Sequence, residues 1–140
     1  MTCTRQKDLN EEGRKTVAKK ILVVDDSISM RQIISIILSG AGYQPVLAAD
    51  GPEGLKLLDD QTELILCDYN MPNMNGVDFI SRVRQGRINA AVPIVMVTTE
   101  SEDARKQEAK AAGATAWLTK PVEKEALLQV VSKVTRTLEF

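Results

Sequence analysis

The amino-acid sequence predicts an α/β domain, a doubly wound five-stranded parallel sheet with helices on both faces. Three observations carry that expectation. Short, almost wholly apolar runs at 20–24, 64–67 and 93–98 are each bounded by turn residues, the mark of strands buried on both sides. Between them lie segments whose apolar residues recur at helical spacing. The connections are short, as strand–helix alternation around a parallel sheet requires. At 140 residues, with 44% hydrophobic and 26% charged side chains, the chain has the size and composition of one globular domain.

Residues 1–18 lack periodicity and are rich in polar and charged side chains, so they are expected to be a flexible extension, leaving 19–140 as the folded domain. The first strand, 20–24, ends in the carboxylates Asp25 and Asp26. Ser27 or Asp26 can cap the helix that follows. Its apolar residues Ile33, Ile34, Ile37 and Leu38 fall at helical spacing, and Gly40 and Gly42 stop it. The second strand, 44–49, contains Pro45 and so belongs at a sheet edge. Asp50 caps the second helix, which turns Leu55 and Leu58 inward. The third strand ends at Asp68 and gives way to the loop 69–75, packed by Met71 and Met74. Gly76 leads into a third helix buried through Val77, Ile80 and Val83.

The fourth strand, 93–98, ends in hydroxyls, Thr98 and Thr99. The fourth helix, about 102–112, offers the core mostly alanines, so it buries little area and is expected to be the least firmly held. Gly113 ends it. A short fifth strand, 116–119, precedes Lys120-Pro121, and the last helix, about 123–138, buries Leu127, Val130, Val131, Val134 and Leu138.

Charge and composition exclude several functions. Residues 1–20 hold six basic and three acidic side chains, whereas the rest carries 12 basic and 16 acidic ones. A mildly acidic body lacks the clustered basic face that nucleic-acid binding needs. No apolar run is long enough to span a membrane, and the start has no apolar signal core, so a cytoplasmic location is expected. Cys3 and Cys67 give neither a metal spacing nor a disulfide framework; Cys67 reads as a small buried apolar residue. The absence of histidine removes hydrolase triads, most zinc sites and any phosphohistidine of the chain's own.

The alternation fits the flavodoxin-like strand order 2-1-3-4-5, an order taken from known folds of this class rather than read from the residues. In that order the first and third strands are neighbours, and Asp25, Asp26 and Asp68 crowd into one crevice at the carboxyl edge, where open α/β sheets bind ligands. Three carboxylates about 5 Å apart repel one another and need a cation, and oxygen-only ligands favour Mg²⁺. Thr98 adds a hydroxyl beside Asp68, and the long stem of Lys120 can bring an ammonium near the carboxylates. Nucleophile, metal site, hydroxyl and cation together suit a transferring phosphoryl group. An aspartate carboxylate, ordinarily ionised at neutral pH, attacks phosphorus without a general base.

Asp25-Asp26 after a strand, the run from Cys67 to Gly76 (Cys-Asp-Tyr-Asn-Met-Pro-Asn-Met-Asn-Gly), Val97-Thr98 and Lys120-Pro121 resemble the receiver domain of two-component response regulators. The resemblance runs from about Lys20 to Leu138. With no output domain expected after it, the chain is most similar to the single-domain CheY-like chemotaxis type.

The resemblance implies that Asp68 is the phosphoacceptor, taking its phosphoryl group from the phosphohistidine of a CheA-like sensor kinase. It implies Mg²⁺ bound by Asp26, Asp68 and the backbone carbonyl of Asn70, with Asp25 acting through water. Thr98 and Lys120 would hold the phosphoryl oxygens, and Lys120-Pro121 would be a cis peptide. Thr98 and Trp117 would form a switch that alters the surface of the fourth helix, fifth strand and fifth helix toward an output partner such as a flagellar motor switch protein. A phosphatase is a further implied partner, the protein is expected to be a monomer, and its only catalysis is its own phosphorylation and dephosphorylation. Trp117 stands where the chemotaxis type has tyrosine, and Thr99 where small residues are frequent.

Other outputs of the same site are a phosphorelay intermediate or a phosphate sink. A flavodoxin-like cofactor binder would need a hydroxyl- and glycine-rich phosphate loop where this chain has Asp25-Asp26-Ser27. An aspartyl-phosphate phosphatase of the haloacid-dehalogenase type wants a second carboxylate two residues after the nucleophile, where Asn70 stands.

Overall fold

In the computed structural model, which describes residues 18–136, five parallel strands alternate with five helices. The strands are β1 (Lys20–Val24), β2 (Gln44–Ala48), β3 (Thr62–Cys67), β4 (Ile94–Thr98) and β5 (Ala116–Thr119). The helices are α1 (Ile28–Gly40), α2 (Gly51–Leu57), α3 (Gly76–Gln85), α4 (Asp103–Ala112) and α5 (Lys124–Arg136). The order across the sheet is β2-β1-β3-β4-β5, the flavodoxin-like order, with β2 and its Pro45 at an edge. The expected extension lies outside the described residues apart from residue 18, as do Cys3 and Leu138.

Alternation of side chains sorts the core into two layers. Leu22, Val24, Ile65, Cys67, Ile94 and Met96 meet Phe79, Ile80, Val83 and Ala109 from α3 and α4. Ile21, Val23, Leu64, Leu66, Val95 and Val97 meet Ile34 and Leu38 of α1 and Leu127 and Val131 of α5. Each fully buried aliphatic side chain contributes about 1.5–3 kcal/mol, so the three central strands are the rigid part of the molecule. Phe79, fully buried, carries more of α3 than the partly buried Val77.

The helix ends follow local chemistry. Ser27, rather than Asp26, caps α1, its hydroxyl accepting from the Met30 N–H. Asp50 caps α2 and Asn75 caps α3 in the same manner. On α1 the apolar repeat overstates burial, for Ile33 is half exposed while Ile34 and Leu38 are buried. The helix carries more apolar residues than its inward stripe can hold, and Ile28 and Ile36 also face solvent.

Arg84 binds the opposite end of the molecule together. Its guanidinium donates to the carbonyls of Ala90 and Val92 (2.8 and 2.6 Å) and twice to that of Gly113 (3.2 and 2.7 Å). Burial pushes that guanidinium below its usual pKa, and no carboxylate is among these partners. Asn89, at φ 52°, ties the same region to the turn before β3 through the carbonyls of Asp59 and Thr62.

Candidate functional site

Backbone pairing carries β1 and β3 one residue past their ends. Val24 pairs with Cys67, the Asp68 N–H donates to the Val24 carbonyl at 3.0 Å, and the Asp25 N–H donates to that of Ala48 at 3.1 Å. The sheet thereby fixes both aspartates. Carboxylate oxygens of Asp25, Asp26 and Asp68 lie within 4.8 Å of one another. Asp25 and Asp68 are buried, at 2% and 8% exposure, while Asp26 faces solvent.

Lys120 enters this cluster from the end of β5. Its Nζ donates to Asp25 Oδ2 at 2.7 Å and to Asp68 Oδ2 at 3.4 Å. Burial works against the ammonium, but the hydrogen bond to Asp25 and the charge of Asp68 outweigh it and hold its pKa above the ordinary lysine value. The Lys120 N–H donates to the Thr98 carbonyl at 2.8 Å, and the Lys120-Pro121 bond is cis. Three carboxylates with one side open to water are a donor set of the kind that hard divalent cations take, consistent with a metal site.

The surrounding backbone fixes these side chains further. Asp25 Oδ1 accepts from the Ser27 N–H at 2.9 Å, and the Arg31 guanidinium donates to the Asp25 carbonyl at 2.6 Å. Asp68 Oδ1 accepts from the Tyr69 N–H at 2.7 Å. The loop after Asp68 then folds back, the Gly76 N–H reaching the Tyr69 carbonyl at 2.7 Å. Only glycine permits this approach, because a Cβ on Gly76 would stand 2.6 Å from the Asp68 carbonyl oxygen. Asn70 lies exposed in this loop, and Asn73, at φ 72°, donates to the Asp50 carboxylate at 3.2 Å. Cys67 sits beneath, its thiol pushed well above the usual pKa by burial and by the neighbouring charges of Asp68 and Asp25.

Thr98 and Trp117 lie off to one side. Thr98 continues the side of the sheet used by Ile94 and Met96, facing α3 and α4, whereas Asp68 continues the side used by Leu64 and Leu66. The fully buried Thr98 hydroxyl accepts from the Glu100 N–H at 3.2 Å, with no hydrogen bond to Asp68 among the described residues. Trp117, opposite Met96, packs against the same layer, its ring centroid 6.4 Å from that of Tyr69 and 6.0 Å from Lys106 Nζ. Its indole N–H is buried without a hydrogen-bond partner among the described residues.

Tyr69 begins the loop expected after the third strand, and nothing in its sequence position marks it as functional. It is buried, its hydroxyl donates to Glu108 at 2.8 Å, and the Arg105 guanidinium lies 5.8 Å from its ring centroid. Burial and the Glu108 contact push the Tyr69 phenol above its usual pKa, so it remains a donor at neutral pH. Arg31 was likewise missed. Its place one turn into α1 was visible, but nothing in sequence pointed it back at the Asp25 carbonyl.

The profile of the response regulator receiver domain matches residues 21–132. The chemotaxis protein CheY1 of Helicobacter pylori is 40% identical over 121 residues, covering 84% of this chain and 98% of its own. The CheY homolog of Campylobacter jejuni is 37% identical over 121 residues, covering 84% and 93%. The solved structure of the chemotaxis response regulator CheY4 of Vibrio cholerae superposes with a TM-score of 0.77 at 47% identity, covering 85% of this chain and 99% of that one.

Proposed function

Because this chain belongs to the response regulator receiver family as a CheY-like domain, we infer that Asp68 accepts a phosphoryl group and that the acquired charge switches a partner-binding surface. One observation carries the reading. Three carboxylates converge within 4.8 Å at the strand ends, and the Lys120 ammonium sits 3.4 Å from Asp68.

Membership of the family implies that the donor is the phosphohistidine of a CheA-like sensor kinase, a separate protein because this chain has no histidine. A P–O bond forms at the Asp68 carboxylate as the donor's P–N bond breaks, the electron pair leaving on the imidazole nitrogen. As the resemblance implies, Asp26, Asp68 and the carbonyl of Asn70 would hold Mg²⁺, with Asp25 acting through water. When bound, Mg²⁺ neutralises charge on the transferring group. Lys120 adds a second positive charge, and Thr98 offers its hydroxyl once released from the Glu100 N–H.

Trp117 is the second part of the switch. Thr98 and Trp117 share the α4 side of the sheet, so movement of one bears on the other. The α4–β5–α5 surface then binds its output partner, a flagellar motor switch protein in a cytoplasmic chemotaxis pathway, and a phosphatase resets it. A phosphorelay intermediate or phosphate sink would use the same site. No helix among the described residues is long and apolar enough to cross a membrane.

Labelling with a small acyl phosphate tests the acceptor. Asp68→Asn or EDTA is expected to abolish incorporation. Label that survives either treatment removes Asp68 or the metal from the mechanism.

A further inference from the structure

The Tyr69 side chain lies across the sheet from the acceptor it follows. Strand alternation sends Asp68 toward the cluster of carboxylates and Tyr69 into the layer beneath α4, where it packs with Met96, Ala109 and Trp117. Three contacts there end on α4 or β5: the hydroxyl on Glu108 (2.8 Å), the ring face on Arg105 (5.8 Å), and the ring, tilted by 49°, toward Trp117 (6.4 Å). The other ends of the same residue are tied to the site. Its N–H donates to Asp68 Oδ1 at 2.7 Å and its carbonyl accepts from Gly76 at 2.7 Å.

The rest of α4 is lightly attached. Ala109 is its one buried residue, and Glu102, at its start, makes no side-chain capping hydrogen bond. A hydrogen bond to a carboxylate therefore weighs heavily on where this helix rests.

We propose that Tyr69 and Glu108 form a latch that holds α4 in its unphosphorylated position and couples it to the acceptor through the chain itself, beside any route through Thr98. Tyr69 and Glu108 are positioning residues, acting through side chains that meet each other away from the acceptor. The Asp68 carboxylate fixes the Tyr69 backbone through the 2.7 Å hydrogen bond. A P–O bond to that carboxylate cancels its own charge and leaves a weaker carbonyl acceptor for the Tyr69 N–H, which frees the Tyr69 backbone and loosens the hydroxyl from Glu108. Arg105 holds the carboxylate in reach, 3.8 Å from Glu108, so the latch has three members. The proposal rests on Asp68 being the acceptor.

The test compares wild type, Tyr69→Phe, Glu108→Ala, the double variant and Glu108→Gln, each free and with beryllofluoride and Mg²⁺ as the phosphoryl mimic. Two readouts are followed: amide hydrogen exchange across α4, and emission from Trp117, the chain's single tryptophan. In the free protein, loss of the latch is expected to speed α4 exchange by about tenfold, the weight of one charge-assisted hydrogen bond. Exchange in the loaded protein should barely change, so the difference between the two states shrinks, and the Trp117 response shrinks with it. The double variant should match either single one, and Glu108→Gln, which keeps an acceptor oxygen, should recover most of the difference. Acyl-phosphate labelling of Glu108→Ala should stay within about twofold of wild type.

Equal acceleration in free and loaded protein would mark the contact as merely structural and overturn the latch. So would additive effects in the double variant, or unchanged exchange in both single ones. If wild type itself takes up no phosphoryl group, the acceptor assignment falls, while free-protein exchange still decides whether Tyr69 and Glu108 hold α4.

Discussion

Replacing Gly76 by alanine tests how the fold aims the acceptor. The added Cβ would lie 2.6 Å from the Asp68 carbonyl oxygen, 2.7 Å from Met96 Cε and 2.9 Å from Tyr69 Cα. Met96 can yield, because Cε ends a flexible side chain. The two backbone atoms cannot yield cheaply, for the Asp68 N–H is paired to Val24 and the Tyr69 carbonyl to Gly76 itself. Relief requires a shift of several tenths of an ångström in the segment that carries the acceptor. Overpacking of this kind costs about 1–3 kcal/mol, against a gain of under about 1 kcal/mol from replacing glycine in a helix.

The expected net loss is about 1–2 kcal/mol, read as a urea midpoint lowered by roughly 1 M. Displacement of the carboxylate should also slow acyl-phosphate labelling by about tenfold, since an error near 1 Å in a reacting geometry can cost about a hundredfold. Gly40→Ala is the matched control. At the end of α1 it meets nothing within 4 Å and should be neutral or slightly stabilising. Equal midpoints for the two variants, with undiminished labelling by Gly76→Ala, would refute the close-approach argument.

Two further outcomes follow from side chains far from the acceptor. Arg84→Ala strips hydrogen bonds from the carbonyls of Ala90, Val92 and Gly113 and should cost about 2–4 kcal/mol in urea unfolding. Arg84→Lys should recover less than half of that, because a single ammonium cannot reproduce the planar fork. The ion pair of Lys20 with Asp59 gives a pH-dependent case. The hydrogen bond from Lys20 holds the Asp59 carboxyl below its ordinary value of 3.8, so its contribution is present above that pH and lost as pH falls through the lower folded value. Asp59→Asn should therefore lower the unfolding free energy measured in urea modestly at pH 7, by less than about 1 kcal/mol for so exposed a pair, with the difference closing in strong acid.

The strands and the acidic site were legible in the sequence for a common reason. A strand buried on both faces must be apolar throughout, so a carboxylate or hydroxyl at its end marks the sheet edge, as Asp25, Asp68 and Thr98 do. The side of the sheet on which each lands was less legible. Proximity of strand ends suggested that Thr98 stands beside Asp68, but nothing in the sequence announced that its hydroxyl accepts from the Glu100 N–H. The light apolar anchoring of α4 was readable from its alanines. Its polar attachment was not, since Tyr69 and Glu108 are 39 residues apart and neither has a local pattern that announces the other. Ile33 shows the opposite error, for its place in the helical repeat left it half exposed while Ile34 is buried.

The Arg84 fork also has a mechanical consequence. It grips α4 by its last turn, through the Gly113 carbonyl, while the first turn at Glu102 has no side-chain cap. The helix is therefore a lever with its pivot at the carboxyl end. At 1.5 Å per residue its arm is about 15 Å long, so a tilt of about 10° displaces Asp103 by roughly 2.6 Å. The same tilt moves Glu108, halfway along, by about 1.3 Å, which is enough to part a hydrogen bond of 2.8 Å. The tip of the lever, bearing Glu102, Asp103 and Arg105, sweeps the longest arc, and a small release at Tyr69 is delivered there magnified.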